Sequence, residues 1–231
     1  MAQKKTQRGR KAVAIAAVTG VLGVGVYTTL ASWTDNEWVV AGFDSDGDGT
    51  PDIGTSTFEV QQNRTQQAAD AGAWQDRETN LEAGDLEFTT AVTLSPGTTL
   101  YAPVALRTVT DSLAGTVTLE APEAWQGASA TDPDGALWNA LTYSVRTSST
   151  ATACDESTWD AFDTDVATDV PFTAPLTAPE QTLAADAGSV QYYCFAITLP
   201  EEPVLPPGAE VDVLQGRVVH PAWNFAATSL D

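Results

Sequence analysis

Lysine is absent from residue 12 onward. All three lysines and two of the seven arginines lie before residue 12, and no acidic residue precedes Ala31. The chain carries a formal net charge of −21, and loss of residues 1–31 would remove five positive charges and leave −26. A surface this acidic repels nucleic acid and anionic lipid. Nucleic-acid binding is therefore excluded, and contact with a membrane is expected only through residues 1–31.

The N-terminal residues have the three parts of a secretory signal peptide. A basic head over residues 4–11 precedes an uncharged apolar run over residues 12–30, which ends in small residues at Ala31. The head stays on the cytoplasmic side, and the apolar run enters the bilayer. A retained membrane anchor is the alternative, since the run is about long enough to span a bilayer. Its Gly- and Thr-rich second half favours cleavage, which we predict between Ala31 and Ser32.

Cysteine is scarce, with only Cys154 and Cys194 present. In an exported chain an even number of cysteines favours a disulfide, and two cysteines allow one internal pair. The alternatives are two buried free thiols or a bridge between chains. We predict the internal bridge. Neither cysteine has a cation beside it in the sequence to lower the pKa of its thiol, so no redox catalysis is expected.

Histidine is almost absent, which removes several classes of enzyme. His220 is the only one, so the chain lacks both the His-Glu-x-x-His pattern and the usual zinc ligands. No Gly-x-Ser-x-Gly sequence marks a serine nucleophile. Paired acids such as Asp163 and Asp165 are more often a solvated face than a general acid and base. We predict that the protein is not an enzyme.

Short β-branched and aromatic runs, separated by Gly, Pro, Asp and Ser, are typical of an all-β protein. The most apolar run, residues 191–199, is expected at the centre of a sheet. Residues 154–174 are predicted to form an irregular connection. Pro103 is predicted to lie on an edge strand, at a bulge or at the start of a strand. The spacing, without any internal repeat, predicts a two-sheet sandwich over residues 32–231. The strands are predicted over residues 58–61, 86–94, 100–110, 114–120, 141–146, 191–199, 211–219 and 221–228.

Acidic residues alternate in residues 44–52, which read DSDGDGTPD. Carboxylates at the first, third and fifth positions, with Gly49 at the sixth, match the front half of a calcium loop. Thr55 replaces the usual glutamate at the twelfth position and the flanking helices are missing, so the loop is more similar to the calcium repeats of thrombospondin type 3 and of dockerins. The alternative is a solvated acidic loop. We predict weak Ca²⁺ binding by Asp44, Asp46, Asp48, Thr50 and Asp52.

The residues around the cleavage site resemble a known family. Residues 20–43 combine a Gly-rich apolar run, a Thr-x-Ala end and then Ser32-Trp33-Thr34-Asp35-Asn36-Glu37-Trp38. This run resembles the signal peptides that are processed by the SipW-type signal peptidase, in the actinobacterial branch of the TasA/camelysin family. Weaker similarity extends to residues 94–97, 193–195 and 223–229. The resemblance implies a jelly-roll-like two-sheet sandwich that follows a helical signal peptide over residues 1–31.

The resemblance also implies a function. In the TasA-like family, sandwich subunits join into fibres of the extracellular matrix, and the N-terminal strand of one subunit completes a sheet of the next. Residues 32–55 would then hold this strand and the calcium-type loop. The partners would be the SipW-type signal peptidase and further copies of the chain. The alternatives are a monomeric secreted binding module and a camelysin-like peptidase, for which the sequence offers no motif. The donor residues would include Trp33, Trp38, Val40 and Phe43.

Overall fold

The most apolar strand forms the middle of a five-stranded antiparallel sheet. The computed structural model describes residues 56–65, 73–88 and 93–230. Strand order in the large sheet is β1-β2-β8-β5-β6. The prediction that residues 191–199 lie at the centre of a sheet is confirmed. The five strands are β1 (Val60–Asn63), β2 (Thr98–Thr108), β5 (Thr142–Ser148), β6 (Thr164–Pro171) and β8 (Gln191–Leu199).

A second, three-stranded sheet packs on the inner face of the first. It has the order β10-β3-β7 and consists of β3 (Gly115–Leu119), β7 (Gln181–Leu183) and β10 (Phe225–Ser229). A separate two-stranded ladder pairs β4 (Glu123–Ala124) with β9 (Pro221–Ala222). Apolar side chains from both larger sheets form one buried cluster. The predicted all-β, two-sheet sandwich is therefore confirmed.

Strand β8 is buried on both of its faces, which explains its continuous apolar sequence. Tyr193, Phe195 and Ile197 point into the core between the sheets. Cys194, one position out of phase, belongs to a second buried cluster on the outer face of the large sheet.

Helical structure is limited among the described residues to short segments. The α-helix is α1 (Ala136–Ala140), and three single 3₁₀ turns lie at Asn80–Glu82, Trp159–Ala161 and Val211–Leu214. In the described part of the chain no helix has both the length and the apolar character needed to cross a membrane.

The structure differs from the predictions in three segments. Residues 154–174 were expected to be irregular, but β6 occupies their second half. Residues 211–219 were expected to be a strand, but they begin with a 3₁₀ turn. Within 86–94, residues 86–88 and 93–94 are not in a strand, and residues 89–92 lie outside the described residues.

Pro103 lies inside β2, opposite Cys194 of β8. Strand β1 pairs only with residues 105–108 of β2, so the missing N–H of Pro103 removes no hydrogen bond between β1 and β2.

Candidate functional site

Most residues of the predicted sites lie outside the described part of the chain. This holds for the cleavage position at Ala31 and Ser32, the donor residues between Trp33 and Phe43, and the calcium loop over residues 44–52. Within residues 56–65, 73–88 and 93–230, no group of three or more His, Cys, Asp or Glu side chains is arranged to hold a metal ion. The predicted assembly needs a donor strand and an acceptor edge. The described residues include the edges of the sheets, so they can show which edge could accept a strand.

Two of the four outer strands of the larger sheets have edges that resist further pairing. Strand β1 is already bridged on its outer side, where Gln62 and Gln75 exchange two backbone hydrogen bonds of 2.9 Å. Strand β6 is irregular, since its register on β5 shifts twice and Asp169 has a φ of 47°. Asp165 and Pro171 add a charge and a missing N–H to that edge. Charges, prolines and bulges are the features that keep an edge strand from pairing with another chain.

Strand β10 has none of these features. Its sequence, FAATS, has no charge and no proline, and its five residues pair with β3 without a register shift. The ladder continues regularly at both ends, where Glu120 N–H donates to the Asn224 carbonyl and Leu230 N–H donates to the Ala114 carbonyl. Strand β7, the opposite edge of the same sheet, is only three residues long.

The phase of the β10–β3 ladder shows which backbone groups of β10 are unpaired. In an antiparallel ladder, alternate residues bond to the neighbouring strand and the residues between them point the other way. Asn224 and Leu230 bond to the strand beside them, so the backbone N–H and C=O groups of every even-numbered residue of β10 point towards β3. The N–H and C=O groups of Phe225, Ala227 and Ser229 therefore point to the open side, where no described residue pairs with them.

The open side of β10 faces the part of the large sheet that contains β5 and β6. At the other end of the small sheet, β7 lies over β2, since the Thr108 hydroxyl donates to the Ala184 carbonyl at 2.7 Å. Phe225 packs on Tyr193 of β8 with 4.8 Å between ring centroids. The small sheet thus runs from above β2 to above β8 and stops before it covers β5 and β6.

Ala227 lies at the middle of this edge. It pairs with Val117, which is buried in the core, so its side chain is on the inner face of β10. Ala227 is nevertheless exposed. Tyr143 and Val145, on the facing part of the large sheet, are fully buried, so the exposure of Ala227 is confined to the edge of β10.

A cluster of aromatic rings lies next to the start of β10. Trp223, two residues before the start of β10, lies 5.1 Å from Phe195, 5.6 Å from Tyr143 and 5.7 Å from Phe172 between ring centroids. The Trp223 Nε1 and the hydroxyls of Tyr143 and Tyr193 are buried and have no hydrogen-bond partner among the described residues. Burial raises the pKa of Tyr143 to about 12 and also raises that of Tyr193. These are neutral hydrogen-bond donors held in an apolar environment.

The outer face of the large sheet is covered by the disulfide and the segment that it ties down. Cys154 and Cys194 are bonded, with 5.3 Å between their Cα atoms, so the predicted internal bridge is confirmed. The bond fixes the loop that follows β5 against β8, and Phe162 packs beside it. Arg146 holds the same loop through Asp160 at 2.9 Å, while it also pairs with Asp165 of β6 at 2.7 Å.

An ion-pair cluster that the sequence analysis did not find joins two distant turns. Arg217 pairs with Asp132 at 2.6 Å and also with Asp134. Asp132 is nearly inaccessible, and it accepts backbone hydrogen bonds from Leu137 at 3.1 Å and Trp138 at 2.9 Å. Burial acts to raise the pKa of Asp132, but these N–H donors and the Arg217 guanidinium together hold it below its usual value.

Replacement of Asp132 by Asn should remove part of the acid sensitivity of folding. Because the pKa of Asp132 is lower in the folded chain, its contribution to stability is fully present above the unfolded pKa of about 3.9 and is lost as the pH falls through the folded value. Wild-type protein should thus lose stability below about pH 4. The variant should be less stable at pH 7, because the Arg217 charge loses a partner, and should show a shallower fall below pH 4. Urea unfolding at pH 7, 4 and 3 measures both effects; equal slopes in the two proteins would contradict this.

His220, the one histidine, lies next to β9 and packs its ring edge-on against Trp125, with 6.1 Å between centroids.

Comparison with family models and with curated proteins finds no match to this chain. The TasA/camelysin resemblance of residues 20–43 therefore stays a prediction. Residues 223–229, one of the segments with weaker similarity, form Trp223 and the whole of β10.

Proposed function

We propose that the protein is an exported structural subunit of the extracellular matrix, and that it assembles into fibres by accepting a strand from a neighbouring copy along β10. The observation that carries this proposal is the uncharged, regular edge of β10, with which no described residue pairs, at the exposed, inward-facing Ala227. Strand addition to such an edge gives affinity through backbone hydrogen bonds and specificity through alternate side chains.

The donor in this proposal is residues 32–43 of the next subunit. They carry no proline and have β-branched and aromatic residues, and Trp38 and Val40 would fall on the same face of a strand. That face would pack beside Ala227. Cleavage between Ala31 and Ser32 by a SipW-type peptidase would release the donor from the membrane, so that assembly follows secretion.

One donor and one acceptor edge per chain favour linear growth. A contact between two different surfaces of the same chain is heterologous, and it generates filaments when its rotation does not close into a ring. The irregular, charged edge of β6 and the bridged edge of β1 would suppress side-to-side pairing.

Charge opposes this assembly, because subunits of −26 repel each other. We propose that Ca²⁺ bound by residues 44–52, immediately after the donor, relieves part of this repulsion. Joint replacement of Asp46 and Asp48 by Ala should abolish the rise in melting temperature that millimolar calcium produces. The matched control is Glu201→Ala with Glu202→Ala, an equal charge change at two exposed positions. An identical calcium response in both variants would refute the site.

The proposal is tested by electron microscopy and size-exclusion chromatography on protein that begins at Ser32, compared with protein that begins at residue 44. Ordered filaments from the first and monomers from the second are expected. Monomers from both would refute the fibre proposal and favour a secreted binding module. Cleavage of casein that survives further purification would instead favour a peptidase.

A further inference from the structure

We infer that part of the outer face of the large sheet binds a neutral, β-1,4-linked glycan chain, beside the rings of Trp159 and Tyr101. This surface lies on the side of the large sheet that faces away from the small sheet and β10. The inference therefore goes beyond the proposed function and does not depend on strand addition.

The disulfide-bonded loop divides the outer face into a covered half and an open half. The loop covers the half around Cys194, where Phe162 is buried beside the bond to Cys154. Further along β8, Ala196 and Thr198 lie on the same side of the sheet as Cys194. They belong to the open half, whose residues other than Ala196 are all partly accessible. The open half consists of Thr99 and Tyr101 of β2, Thr142 and Ser144 of β5, and Ala196 and Thr198 of β8.

A row of hydroxyl groups crosses the open half. Thr198 lies opposite Thr99 on one side and opposite Thr142 on the other, so the row spans three neighbouring strands, a width of about 10 Å. The hydroxyls of Thr99 and Thr198 are 2.8 Å apart, and each can accept a further hydrogen bond. In the next row, the Ser144 hydroxyl donates to the exposed Asp169 carboxylate at 3.2 Å. Sugar hydroxyls can donate to and accept from such groups.

Two aromatic rings lie at the boundary between the two halves. Trp159 and Tyr101 are both partly accessible and pack edge to face, with 5.8 Å between ring centroids. Arg146 fixes this arrangement, since its guanidinium lies 5.3 Å from the Trp159 ring centroid and also pairs with Asp160 at 2.9 Å. The C–H face of a sugar ring packs against such an aromatic surface, and rings that are already fixed lose little freedom on binding.

Charge and shape select the kind of glycan. Burial raises the pKa of the Tyr101 hydroxyl, and the negative charges of Glu156, Asp155 and Asp160 raise it further. These acids would repel an anionic polymer, and the positive charge of Arg146 is already paired with two carboxylates. A β-1,4-linked chain is extended, with hydroxyls along its edges and C–H groups on its faces, so it suits a sheet face that offers both hydroxyls and rings.

The test is calorimetric titration of cellohexaose and of chitohexaose into protein that begins at Ser32. We expect saturable binding of at least one of them and no binding of the anionic hexamer of galacturonic acid. Trp159→Ala should weaken binding at least tenfold. Thr198→Val, which removes one hydroxyl and keeps the shape of the side chain, should weaken it about threefold to tenfold, the effect of losing one hydrogen bond. The control is Trp125→Ala, which removes a partly accessible tryptophan beside β9. It should leave binding unchanged.

Three results would overturn the inference. Absence of binding of both neutral hexamers would show that the open half is not a glycan site. Equal binding of the galacturonic acid hexamer would show that charge does not select the ligand. Wild-type affinity of folded Thr198→Val protein would show that the threonine row is not used, even if Trp159→Ala loses binding by disturbing its loop. Failure of filament assembly would refute the fibre proposal and leave this inference standing.

Discussion

Replacement of Ala227 by proline is expected to abolish the proposed filament assembly and to leave the subunit folded. The N–H of Ala227 points away from β3, so proline removes a donor from the open edge and breaks no backbone bond between the described residues. The proline ring also projects into the path of an added strand. We expect no filaments at concentrations at least tenfold above those at which wild-type protein assembles. Electron microscopy and sedimentation measure assembly, and thermal unfolding of the monomer measures the fold.

Two further variants, at residues 227 and 228, test whether the loss of assembly comes from the missing N–H at the open edge. Ala227→Ser keeps the N–H and should assemble as wild type does. Thr228→Pro removes an N–H that bonds to β3, so it should destabilise the monomer itself. Normal filaments from a folded Ala227→Pro protein would show that β10 is not the acceptor.

Loss of the Cys154–Cys194 bond is expected to cost about 3–4 kcal/mol of unfolding free energy. The bond closes a loop with a sequence separation of 40, and the chain-entropy argument assigns a loop of that length this magnitude. The double variant Cys154→Ala with Cys194→Ala should keep the sandwich, because the core between the sheets contains neither cysteine. The midpoint of urea unfolding should fall accordingly.

Reduced wild-type protein is the control for this prediction. It keeps both sulfur atoms and lacks only the bond, so it should lose a similar amount of stability. Binding of a hydrophobic dye should also rise in both, because the loop over Phe162 and Tyr192 is no longer held down by the bond. An unchanged urea midpoint in the double variant would show that Arg146 and the packing around Phe162 hold the loop without the bond.

The elements that were predicted correctly are those whose local sequence matches their surroundings. Strand β8 is apolar throughout because both faces are buried, and this pattern needs no knowledge of its neighbours. Strand β6 was missed for the opposite reason. It is an edge strand with few buried residues, and acids such as Asp165 and Asp169 gave it the composition of a loop.

Local pattern misled the prediction at residues 211–219. Val211, Asp212 and Val213 alternate as an exposed strand would, yet they begin a 3₁₀ turn. Tertiary packing decides this segment, since Leu214 is part of the core cluster and Arg217 binds Asp132, 85 residues away. Contacts between residues so far apart in the chain leave no periodic signal in the sequence.

The acceptor edge at β10 could also be predicted only in part from the sequence. The sequence predicted a strand over residues 221–228, and most of β10 lies within that range. That β10 is an outer strand follows only from the strand order of its sheet. The burial of the Tyr143 and Trp223 donors likewise depends on aromatic contacts between separate strands.

The most direct test of strand addition at β10 is a titration of a peptide of residues 32–43 into protein that begins at residue 44. Fluorescence anisotropy of a labelled peptide measures binding, and size-exclusion chromatography measures stoichiometry. We expect saturable binding of one peptide per chain, which Ala227→Pro abolishes and Ala227→Ser preserves. Absence of binding to folded protein, or equal binding to the proline variant, would contradict it.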